Sequence, residues 1–527
     1  MLECWSAEST NTSPLHHSVW DHADSTEMRN RRTGSGVLRL GAGFSLSPRE
    51  RVRVRGNDRS TAIGCRKGLR KRGLAVLIVA LFSLIQAAGA NLALQTLYEF
   101  ESNPKNPRGA LVQGRDGNFY GTTVFGGTNR SNGTVFQVTP EGLLTVLHSF
   151  QGSDGAMPLA GLVEGNDGLF YGTAQSGAPN GEFGGVFQIT TNGEVTILHY
   201  FDGSDGSFPR AALVQGRDGS LYGTTVSGGT NEGTNSDNGT VFKITTQGLF
   251  TSLFSFNGRN GSRPTAGLVE GSDGSFYGTT SEGGPDYNGT AIVGNGTVFQ
   301  ITTNGSFRPL HAFNRTDGSG PEAGLVEGSD GQFYGTTQFG GTNGDNGTVF
   351  KITPAGVLTN LYSFAGTDGG YPVAGLAQGR DGNFYGTTDG DGTNTFGTIF
   401  RITPNGVLTT LFSFNRTNGA SPVAGLVQAL DGNFYGTTFE GGTGGGGTLF
   451  RLVEPLLIAV APGSNGRVTL SWNSFTNGTY RVEHKPELAG PDWLALHPDV
   501  LATHNTTSIT NSLEGAAQSF YRIRLLP

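Results

Sequence analysis

Three histidines recur at one position of an internal repeat and have a side chain that can bind a metal ion. In four other copies of the repeat the same position carries a different aromatic ring. The histidines are His148, His199 and His311, and the other rings are Tyr98, Phe254, Tyr362 and Phe412. Because Phe cannot ligate a metal, the shared position favours a packing role on an outer strand, with metal binding as the alternative.

Four aspartates lie in a recurring loop segment that reads Gly-x-Asp-Gly in three copies and Arg-x-Asp-Gly in one, where carboxylates and neighbouring carbonyls could bind calcium. They are Asp154, Asp205, Asp317 and Asp368. Asn260 and Asn418 replace the aspartate in two copies, and the dense Asp-x-Asp-x-Asp spacing of calcium loops is missing. Asp-Gly is first of all a turn dipeptide. We therefore expect no cofactor, and calcium is the alternative.

The sequence contains no catalytic set that stands out from the repeat. No Ser-His-Asp combination breaks the pattern, and both cysteines, Cys4 and Cys65, lie near the N-terminus. Paired carboxylates cannot be judged without geometry, so the sequence predicts no catalytic residues and leaves enzymatic activity open.

These residues are positioned by a motif, Asp-Gly-x-Phe-Tyr-Gly-Thr, that occurs seven times at spacings of 50 to 57 residues. The copies begin at Asp116, Asp167, Asp218, Asp273, Asp330, Asp381 and Asp431. A period of this size indicates an array of one supersecondary unit. The chain contains 34 Phe, which recur at fixed places in each repeat, and 87 Gly without a strict Gly-X-Y period, so it resembles neither a disordered protein nor collagen.

Each repeat predicts four short antiparallel strands, which we name A to D, separated by Asp-Gly and Asn-Gly turns. A lone meander leaves its apolar faces bare, so seven units are expected to stack into a closed β-propeller within residues 91–455. The glycine of Tyr-Gly-Thr lies mid-strand and predicts close approach by an aromatic ring from the next blade.

The last A–B–C set has no D motif after it, whereas one D motif precedes the first A strand. We therefore expect the N-terminal strand, residues 94–100, to complete the last blade and remove the open edge. After residue 455 the repeat stops. The spacing of Trp472 and Tyr480 on alternating strands is typical of a small fibronectin-III-like β-sandwich over residues 456–527.

The repeat, with its Asp-Gly turn, aromatic-x-Gly-Thr strand and Val-Phe-x-Ile-Thr-Pro-x-Gly hairpin, resembles the GloVer tandem-repeat proteins. The resemblance covers about residues 94–453. It implies a bacterial extracellular repeat protein of unassigned function, whose relatives carry varied C-terminal anchors. A looser likeness to other bacterial propellers, including a streptogramin lyase, concerns the fold alone.

The N-terminus predicts export. Residues 65–90 run from a basic stretch through an apolar segment to small residues before Asn91, which is the layout of a secretory signal peptide. An uncleaved anchor is the alternative, although the apolar run is short for a membrane span. Residues 1–64 are polar and Arg-rich and are interpreted as a disordered leader or a start codon placed too far upstream.

Beyond residue 90 the chain is acidic and lacks a basic stripe, so nucleic acid is not expected as a partner. In a propeller the B–C and D–A loops share one face, and here that face carries every length change. The third and fourth B–C loops are the longest, which makes their sector the first predicted site, with neutral loop drift as the alternative. Its polar and aromatic members are Glu232, Asn235, Asp237, Asp286 and Tyr287.

The sequence thus favours a secreted or cell-surface, non-enzymatic binding or adhesion module that acts through the B–C/D–A loop face. Its partner would be a surface polymer, a glycan or a protein, and the mature chain is expected to be a monomer without a stable membrane span. The alternative is an extracellular lyase or hydrolase with its active site in the central funnel. A structural surface-layer role stays open.

Overall fold

The computed structural model describes residues 93–128, 131–177, 182–230, 238–287, 294–453, 458–462, 467–474, 479–485, 493–496, 498–503, 506–512 and 520–526. The chain divides into two units, Met1–Gly68 and Leu69–Pro527. The predicted leader and signal peptide, residues 1–64 and 65–90, lie outside the described residues. Within the part described, no helix is long and apolar enough to cross a bilayer.

The described repeats form seven four-stranded antiparallel sheets. Strand β1 is Ala93–Glu99. Sheet 1 contains β2 (Val112–Gln113), β3 (Phe119–Thr123), β4 (Thr134–Val138) and β5 (Leu144–Ser149). Sheet 2 contains β6 (Val163–Glu164), β7 (Phe170–Ala174), β8 (Gly185–Ile189) and β9 (Val195–Tyr200). Sheet 3 contains β10 (Val214–Gln215), β11 (Leu221–Thr225), β12 (Thr240–Ile244) and β13 (Phe250–Ser255). Sheet 4 contains β14 (Val269–Glu270), β15 (Phe276–Thr280), β16 (Thr297–Ile301) and β17 (Phe307–Ala312).

The remaining sheets repeat the same order of strands A, B, C and D. Sheet 5 contains β18 (Val326–Glu327), β19 (Phe333–Thr337), β20 (Thr348–Ile352) and β21 (Leu358–Ser363). Sheet 6 contains β22 (Ala377–Gln378), β23 (Phe384–Thr388), β24 (Thr398–Ile402) and β25 (Leu408–Ser413). Sheet 7 contains β26 (Val427–Gln428), β27 (Phe434–Thr438), β28 (Thr448–Val453) and β1. The predicted meander of four strands is therefore confirmed.

The recurring motif serves the scaffold. In sheet 1, Asp116 accepts the backbone N–H of Asn118 at 3.0 Å and the hydroxyl of Tyr120 at 2.8 Å, while Gly117 adopts a φ of 83° that the tight turn requires. Thr122 donates its hydroxyl to the carbonyl of Ala160 in the next sheet at 2.8 Å. Six of the seven copies make this threonine bond, whereas the hydroxyl of Thr437 in sheet 7 is buried without a partner among the described residues. The motif therefore has a structural role in joining the sheets.

The mid-strand glycine corrects one prediction. A Cβ at Gly172 would lie 2.6 Å from the ring of Phe187, and the register pairs these two residues directly. Phe187 belongs to strand C of the same sheet, so the ring that covers the glycine does not come from the next blade as predicted. The same relation holds between Gly121 and Phe136.

Neighbouring sheets pack through an aromatic ladder that returns to its start. The ring of Tyr120 in sheet 1 stacks on Phe170 in sheet 2 at 4.1 Å, and Tyr385 in sheet 6 packs on Phe434 in sheet 7 at 4.1 Å. Tyr435 in sheet 7 packs on Phe119 in sheet 1 at 4.2 Å. Sheets 1 and 7 therefore share a core as consecutive sheets do.

A cycle of hydrogen bonds follows the same order on the face of the A–B turns. In each sheet a backbone N–H of the A–B turn donates to the Glu or Gln side chain that ends strand A of the next sheet. The pairs are Arg115–Glu164, Asn166–Gln215, Arg217–Glu270, Ser272–Glu327, Ser329–Gln378, Arg380–Gln428 and Leu430–Gln113. The last pair connects sheet 7 to sheet 1.

Strand β1 occupies the D position of sheet 7. It pairs antiparallel with β28, and its register shifts at Leu97. Strand β5 shows the same bulge at Leu147 against β4. The N–H of Phe100 donates to Gly447 at 2.9 Å, as that of Phe150 donates to Gly133 at 3.1 Å. The N-terminal strand thus has the pairing that the sequence predicts.

The C-terminal residues form two further sheets. One contains β29 (Ile458–Pro462), β30 (Arg467–Asn473) and β34 (Thr506–Ser512). The other contains β31 (Thr479–Lys485), β32 (Leu494–Ala495), β33 (Val500–Leu501) and β35 (Phe520–Leu526). Trp472 of the first sheet packs edge-on against Tyr480 of the second at 5.7 Å, and both are buried. The two sheets therefore share one apolar core.

Candidate functional site

The D-strand histidines are bound to the loop aspartates. Nε2 of His148 lies 2.8 Å from Oδ2 of Asp154, and the same contact measures 2.7 Å between His199 and Asp205. The ring of His199 also stacks on Phe250 of the next sheet at 3.9 Å. The histidine position is therefore a packing position, as the sequence indicates.

The identity of the D–A loop residue six positions after the D-strand ring changes with the identity of that ring. Four sheets with a donor ring carry aspartate in the D–A loop, as in His311–Asp317 and Tyr362–Asp368. Sheet 7, with Tyr98, has Pro104 at that place instead. Sheets with Phe carry asparagine: Phe254 with Asn260 and Phe412 with Asn418. In both kinds of loop the side-chain Oδ1 accepts a backbone N–H three residues earlier, for example at 2.7 Å in Asp154 and 2.9 Å in Asn260. The presence of aspartate in these D–A loops is thus explained by its hydrogen bond with the D-strand ring. Calcium binding by the loops stays an untested prediction.

We expect His199→Phe and Asp205→Asn each to lower the thermal midpoint, because each removes one partner of a half-buried hydrogen bond. The double variant recreates the Phe254–Asn260 pair and should recover most of the loss, with a coupling of about 0.5–3 kcal/mol. Differential scanning calorimetry of the four proteins measures this. Strictly additive losses would contradict the pairing.

The predicted loop sector is described only in part. Glu232, Asn235 and Asp237 lie outside the described residues. Asp286 is exposed, and Tyr287 is half-buried with its ring directly over the backbone of Gly258, where an added Cβ would lie 2.1 Å from Cε1. Tyr287 of sheet 4 therefore covers the D–A turn that leads from sheet 3 into sheet 4, and binding by this sector stays a prediction.

A cavity of about 230 Å³ is lined by the segments that lead into all seven A strands. Its wall is made largely of the small residues that precede those strands, including Ala110, Gly161 and Gly375. The residue just before these small residues also lines the cavity, and it is of five different types in the seven sheets. In order of the sheets these residues are Arg108, Leu159, Arg210, Thr265, Glu322, Val373 and Val423.

Two residues earlier in each sheet, a corner of the chain has left-handed backbone geometry. The seven corner residues, which we call the corner positions, each precede a proline and have φ between 51° and 64°: Asn106, Met157, Phe208, Arg263, Gly320, Tyr371 and Ser421. This geometry is ordinary for glycine and unfavourable for most other residues. Only sheet 5 uses glycine.

The backbone around each corner position is the same. The N–H of Tyr371 donates to the carbonyl of Asn346 at the end of the B–C loop, at 2.9 Å. Its carbonyl accepts the N–H of Asp389, just after strand B, at 3.1 Å. Phe208 makes the equivalent bonds to Phe183 and Val226 at 2.8 and 3.3 Å. The corner positions therefore lie on the B–C/D–A face, with their side chains on a common scaffold.

The charges of the cavity are unequally distributed. Arg263 pairs with Glu282 at 3.2 Å. Burial, and then the charges of Arg108 and Arg263, lower the pKa of Arg210 below its ordinary value. Burial raises the pKa of Glu282, against the opposing effect of Arg263. Positive charge without an ion-pair partner among the described residues thus lies toward sheets 1 and 3, and the carboxylate of Glu322 in sheet 5 acts on Arg210 in the opposite direction.

A carboxyl group beside the cavity is also perturbed. Burial raises the pKa of Asp389, although a hydrogen bond with Ser421 and the charge of Arg108 oppose the change. Its Oδ1 is buried without a hydrogen-bond partner in the described part of the chain. Asp389 therefore favours its neutral form more than a solvated carboxyl does.

Sequence reasoning did not identify these residues. The A strands read Ala-Gly-Leu-Val or nearly so, which gave no sign of residues that break the seven-fold pattern. The residues that differ between repeats lie one and three positions before the Ala-Gly pair or its equivalent, on either side of the recurring proline. At the first of these positions Arg108 and Arg210 alternate with Leu159.

The sequence profile of the Gloeobacter/Verrucomicrobia repeat matches residues 79–292 and 291–482, which is more than half of the chain. The chain belongs to this repeat family. The Gloeobacter/Verrucomicrobia repeat thus accounts for the periodic motif, in agreement with the resemblance found in the sequence. No curated protein matches the chain.

Solved structures are similar to this repeat protein only at low identity. The extracellular domain of a protein described as a hybrid two-component system, from B. thetaiotaomicron, is 12% identical with a TM-score of 0.45, over 82% of this chain and 55% of that chain. PorZ, a surface component of the type-IX secretion system of Porphyromonas gingivalis, is 11% identical with a TM-score of 0.43, over 81% and 60%. An ulvan lyase is 9% identical with a TM-score of 0.44, over 68% and 96%. The chain spans little more than half the length of the first two.

Proposed function

We propose that the protein is an exported, non-enzymatic binding module whose ligand lies on the B–C/D–A face, at the mouth of the cavity between the A strands. In this proposal the seven sheets are the blades of a β-propeller, and the C-terminal sheets are a fibronectin-III-like sandwich. The partner is a polymer of a cell surface, a glycan or a protein. The predicted signal peptide at residues 65–90 supports export.

The observation that carries the proposal is the variety of side chains at the corner positions. Left-handed geometry costs a non-glycine residue about 1–3 kcal/mol, and Gly320 demonstrates that glycine fits the corner. Six sheets nevertheless keep a side chain there, and the six differ from one another. A strained position with variable chemistry on a rigid scaffold is typical of a binding surface.

The corner positions include two aromatic residues whose rings have partners on the same face. Phe208 lies 6.4 Å from Phe183, and Tyr371 lies 5.8 Å from Phe339, measured between ring centroids. Phe183 and Phe339 are each more than a third exposed. Exposed aromatic pairs beside a polar cavity supply contact area at low conformational entropy, which suits ligand binding.

The experiment compares Phe208→Gly and Tyr371→Gly with the unchanged secreted protein in pull-downs on surface polysaccharides and in titration calorimetry. Because glycine relieves the left-handed strain, the thermal midpoint should stay within a few degrees, while affinity should fall at least tenfold. Leu143→Ala is the control, since Leu143 is 72% exposed on the opposite face, in a C–D turn.

Unchanged binding by both glycine variants would place the ligand elsewhere and contradict the proposal. A loss of binding with Leu143→Ala alone would assign it to the opposite face.

One observation favours an enzyme as the second candidate. The residues beside the cavity break the seven-fold pattern, and Asp389 has the raised pKa expected of a general acid. An extracellular lyase or hydrolase would then act in the central funnel. Reducing-end and unsaturated-product assays on acidic and neutral polysaccharides test this, and activity abolished by Asp389→Asn would support it.

We also propose that the protein is a monomer and needs no cofactor. For calcium at the Gly-x-Asp-Gly loops, the measurement is the thermal midpoint with calcium and with EDTA. A rise with calcium, lost in Asp154→Asn, would support the alternative.

A further inference from the structure

We propose that Arg108 and Arg210 bind the carboxylate of an acidic sugar at the mouth of the cavity, so that the ligand of the module is a uronate-containing polysaccharide. This inference rests on the proposed function and names the ligand class of the same site. It follows from two guanidinium groups without partners, from the distribution of apolar lining around them, and from the size of the cavity.

Neither Arg108 nor Arg210 has a hydrogen bond or an ion pair with any described residue, whereas Arg263 in the same cavity is paired with Glu282. Nε of Arg210 is buried and has no partner. A buried guanidinium donor without an acceptor costs free energy, and a second cation nearby adds repulsion. Arg108 is exposed to solvent, so an anion between the two groups would relieve the buried donor of Arg210 and the repulsion between the two cations.

The opposite wall of the cavity is apolar. Val373 and Val423, from sheets 6 and 7, occupy the places that arginine occupies in sheets 1 and 3, and Leu159 lies between the two arginines in the order of the sheets. The lining thus places the two arginines on one side and the two valines on the other, with Glu322 of sheet 5 between them in the order of the sheets. A ligand that fits it carries a negative group at one end and C–H surface at the other.

A pyranose ring with a carboxylate has both features. Its axial C–H groups can pack on aromatic faces such as those of Phe208 and Tyr371 at the corner positions. The cavity volume of about 230 Å³ is below the roughly 300–1,000 Å³ of sites for drug-sized ligands. It therefore suits one sugar residue of a chain that continues over the loop face.

The net charge of the protein indicates that an anionic ligand would be attracted locally, by the two arginines of the cavity. The protein as a whole has a formal net charge of −7. Non-specific attraction of polyanions by the whole surface is therefore not expected. The guanidinium fork of arginine matches a carboxylate in two parallel hydrogen bonds, which distinguishes it from lysine in this role.

The experiment is titration calorimetry of the secreted protein with tetrasaccharides of galacturonate, mannuronate, guluronate and glucuronate. The methyl esters of the same sugars and a sulfated oligosaccharide are the comparison ligands. We expect at least one uronate to bind, and its methyl ester to bind at least tenfold more weakly. Arg108→Gln and Arg210→Gln should each lower the affinity for the acid at least tenfold and leave that for the ester unchanged.

Arg115→Gln is the matched control, because Arg115 lies in the A–B turn on the opposite face and its substitution removes the same positive charge. It should leave affinity unchanged. The thermal midpoint of Arg210→Gln should not fall, since the substitution removes a buried donor without a partner.

Binding of acid and ester with equal affinity, or binding unaffected by both arginine variants, would overturn the carboxylate inference and leave the proposed function standing. Preference for the sulfated ligand would also overturn it. Failure of every acidic and neutral polymer to bind would contradict the inference and the proposed function together.

Discussion

Replacing Phe100 by alanine is expected to lower the free energy of unfolding by about 3–5 kcal/mol, as much as the same change at Phe150. Both rings are fully buried, and they occupy equivalent positions after strand D of sheets 7 and 1. Phe100 lies 5.5 Å from Phe136 and 5.0 Å from Tyr98. Its loss therefore leaves a cavity in the core that sheets 1 and 7 share.

Urea unfolding followed by circular dichroism measures the effect. Phe150→Ala is the matched control, because its ring packs on Phe187 at 5.3 Å between sheets 1 and 2. If residues 93–100 were a loose N-terminal extension, Phe100→Ala would leave the unfolding midpoint unchanged while Phe150→Ala lowered it. That outcome would reject the role of β1 as strand D of sheet 7.

The second large effect is expected in alkali. Burial, followed by the hydrogen bond to an ionised aspartate, raises the pKa of Tyr120 to about 12, and the same causes act on Tyr222 and Tyr362, also to about 12. Burial also raises the pKa of Tyr171, Tyr277 and Tyr334. The ladder of rings between the sheets thus holds its hydroxyls protonated.

The sign of the pH dependence follows from proton binding. Between pH 10 and about 12 the folded chain keeps tyrosine protons that the unfolded chain has lost, so unfolding releases protons. This stability is fully present below pH 10 and is lost as the pH rises through the folded pKa. We expect tyrosinate absorbance at 295 nm and loss of β structure to appear in one cooperative step within this interval.

Tyr120→Phe should reduce the number of protons released on unfolding by about one. Tyr371→Phe is the control, because the hydroxyl of Tyr371 has no hydrogen-bond partner among the described residues. Gradual ionisation of the tyrosines near pH 10 with the sheets intact would show that the hydroxyls are accessible in the folded protein, contrary to this account.

The order of the strands could be predicted from the sequence because every repeat carries the same local signals. Strand β9, Val195–Tyr200, follows the Asn192-Gly193 turn dipeptide of its repeat, as the predicted meander requires. The place of β1 followed from a missing D motif after Val453 and a spare one before Ala110. Seven copies of one pattern remove most of the ambiguity that a single short apolar run leaves.

The partner of the mid-strand glycine was predicted wrongly because it depends on register. Gly172 lies opposite Phe187 only when strands B and C pair as they do here. A shift by one residue would turn the ring to the other face, and nothing in the two segments alone fixes that choice. An aromatic ring does cover the glycine, as predicted, but the ring belongs to the same sheet and not to the next one.

The residues of the cavity could not be predicted for a different reason. Arg108 and Arg210 are distant in sequence and meet through the arrangement of seven sheets around the cavity. The pairing of His199 with Asp205 was missed although both residues had been noted, because each was considered separately. The pairing could have been found by comparing the D-strand ring with the D–A loop residue in each repeat, since His occurs with Asp and Phe with Asn.

The pairing of the N-terminal strand with β28 of sheet 7 is the basis of every assignment of loops to faces. A disulfide between Gln95→Cys and Arg451→Cys, with Cys4 and Cys65 replaced by serine, tests it most directly. These two positions are paired across β1 and β28, and paired strand residues lie within the Cα separation that a disulfide spans. We predict that oxidation links the two peptides, as mass spectrometry of a digest would show, and raises the thermal midpoint. Two free thiols in the native, oxidised protein would contradict the account.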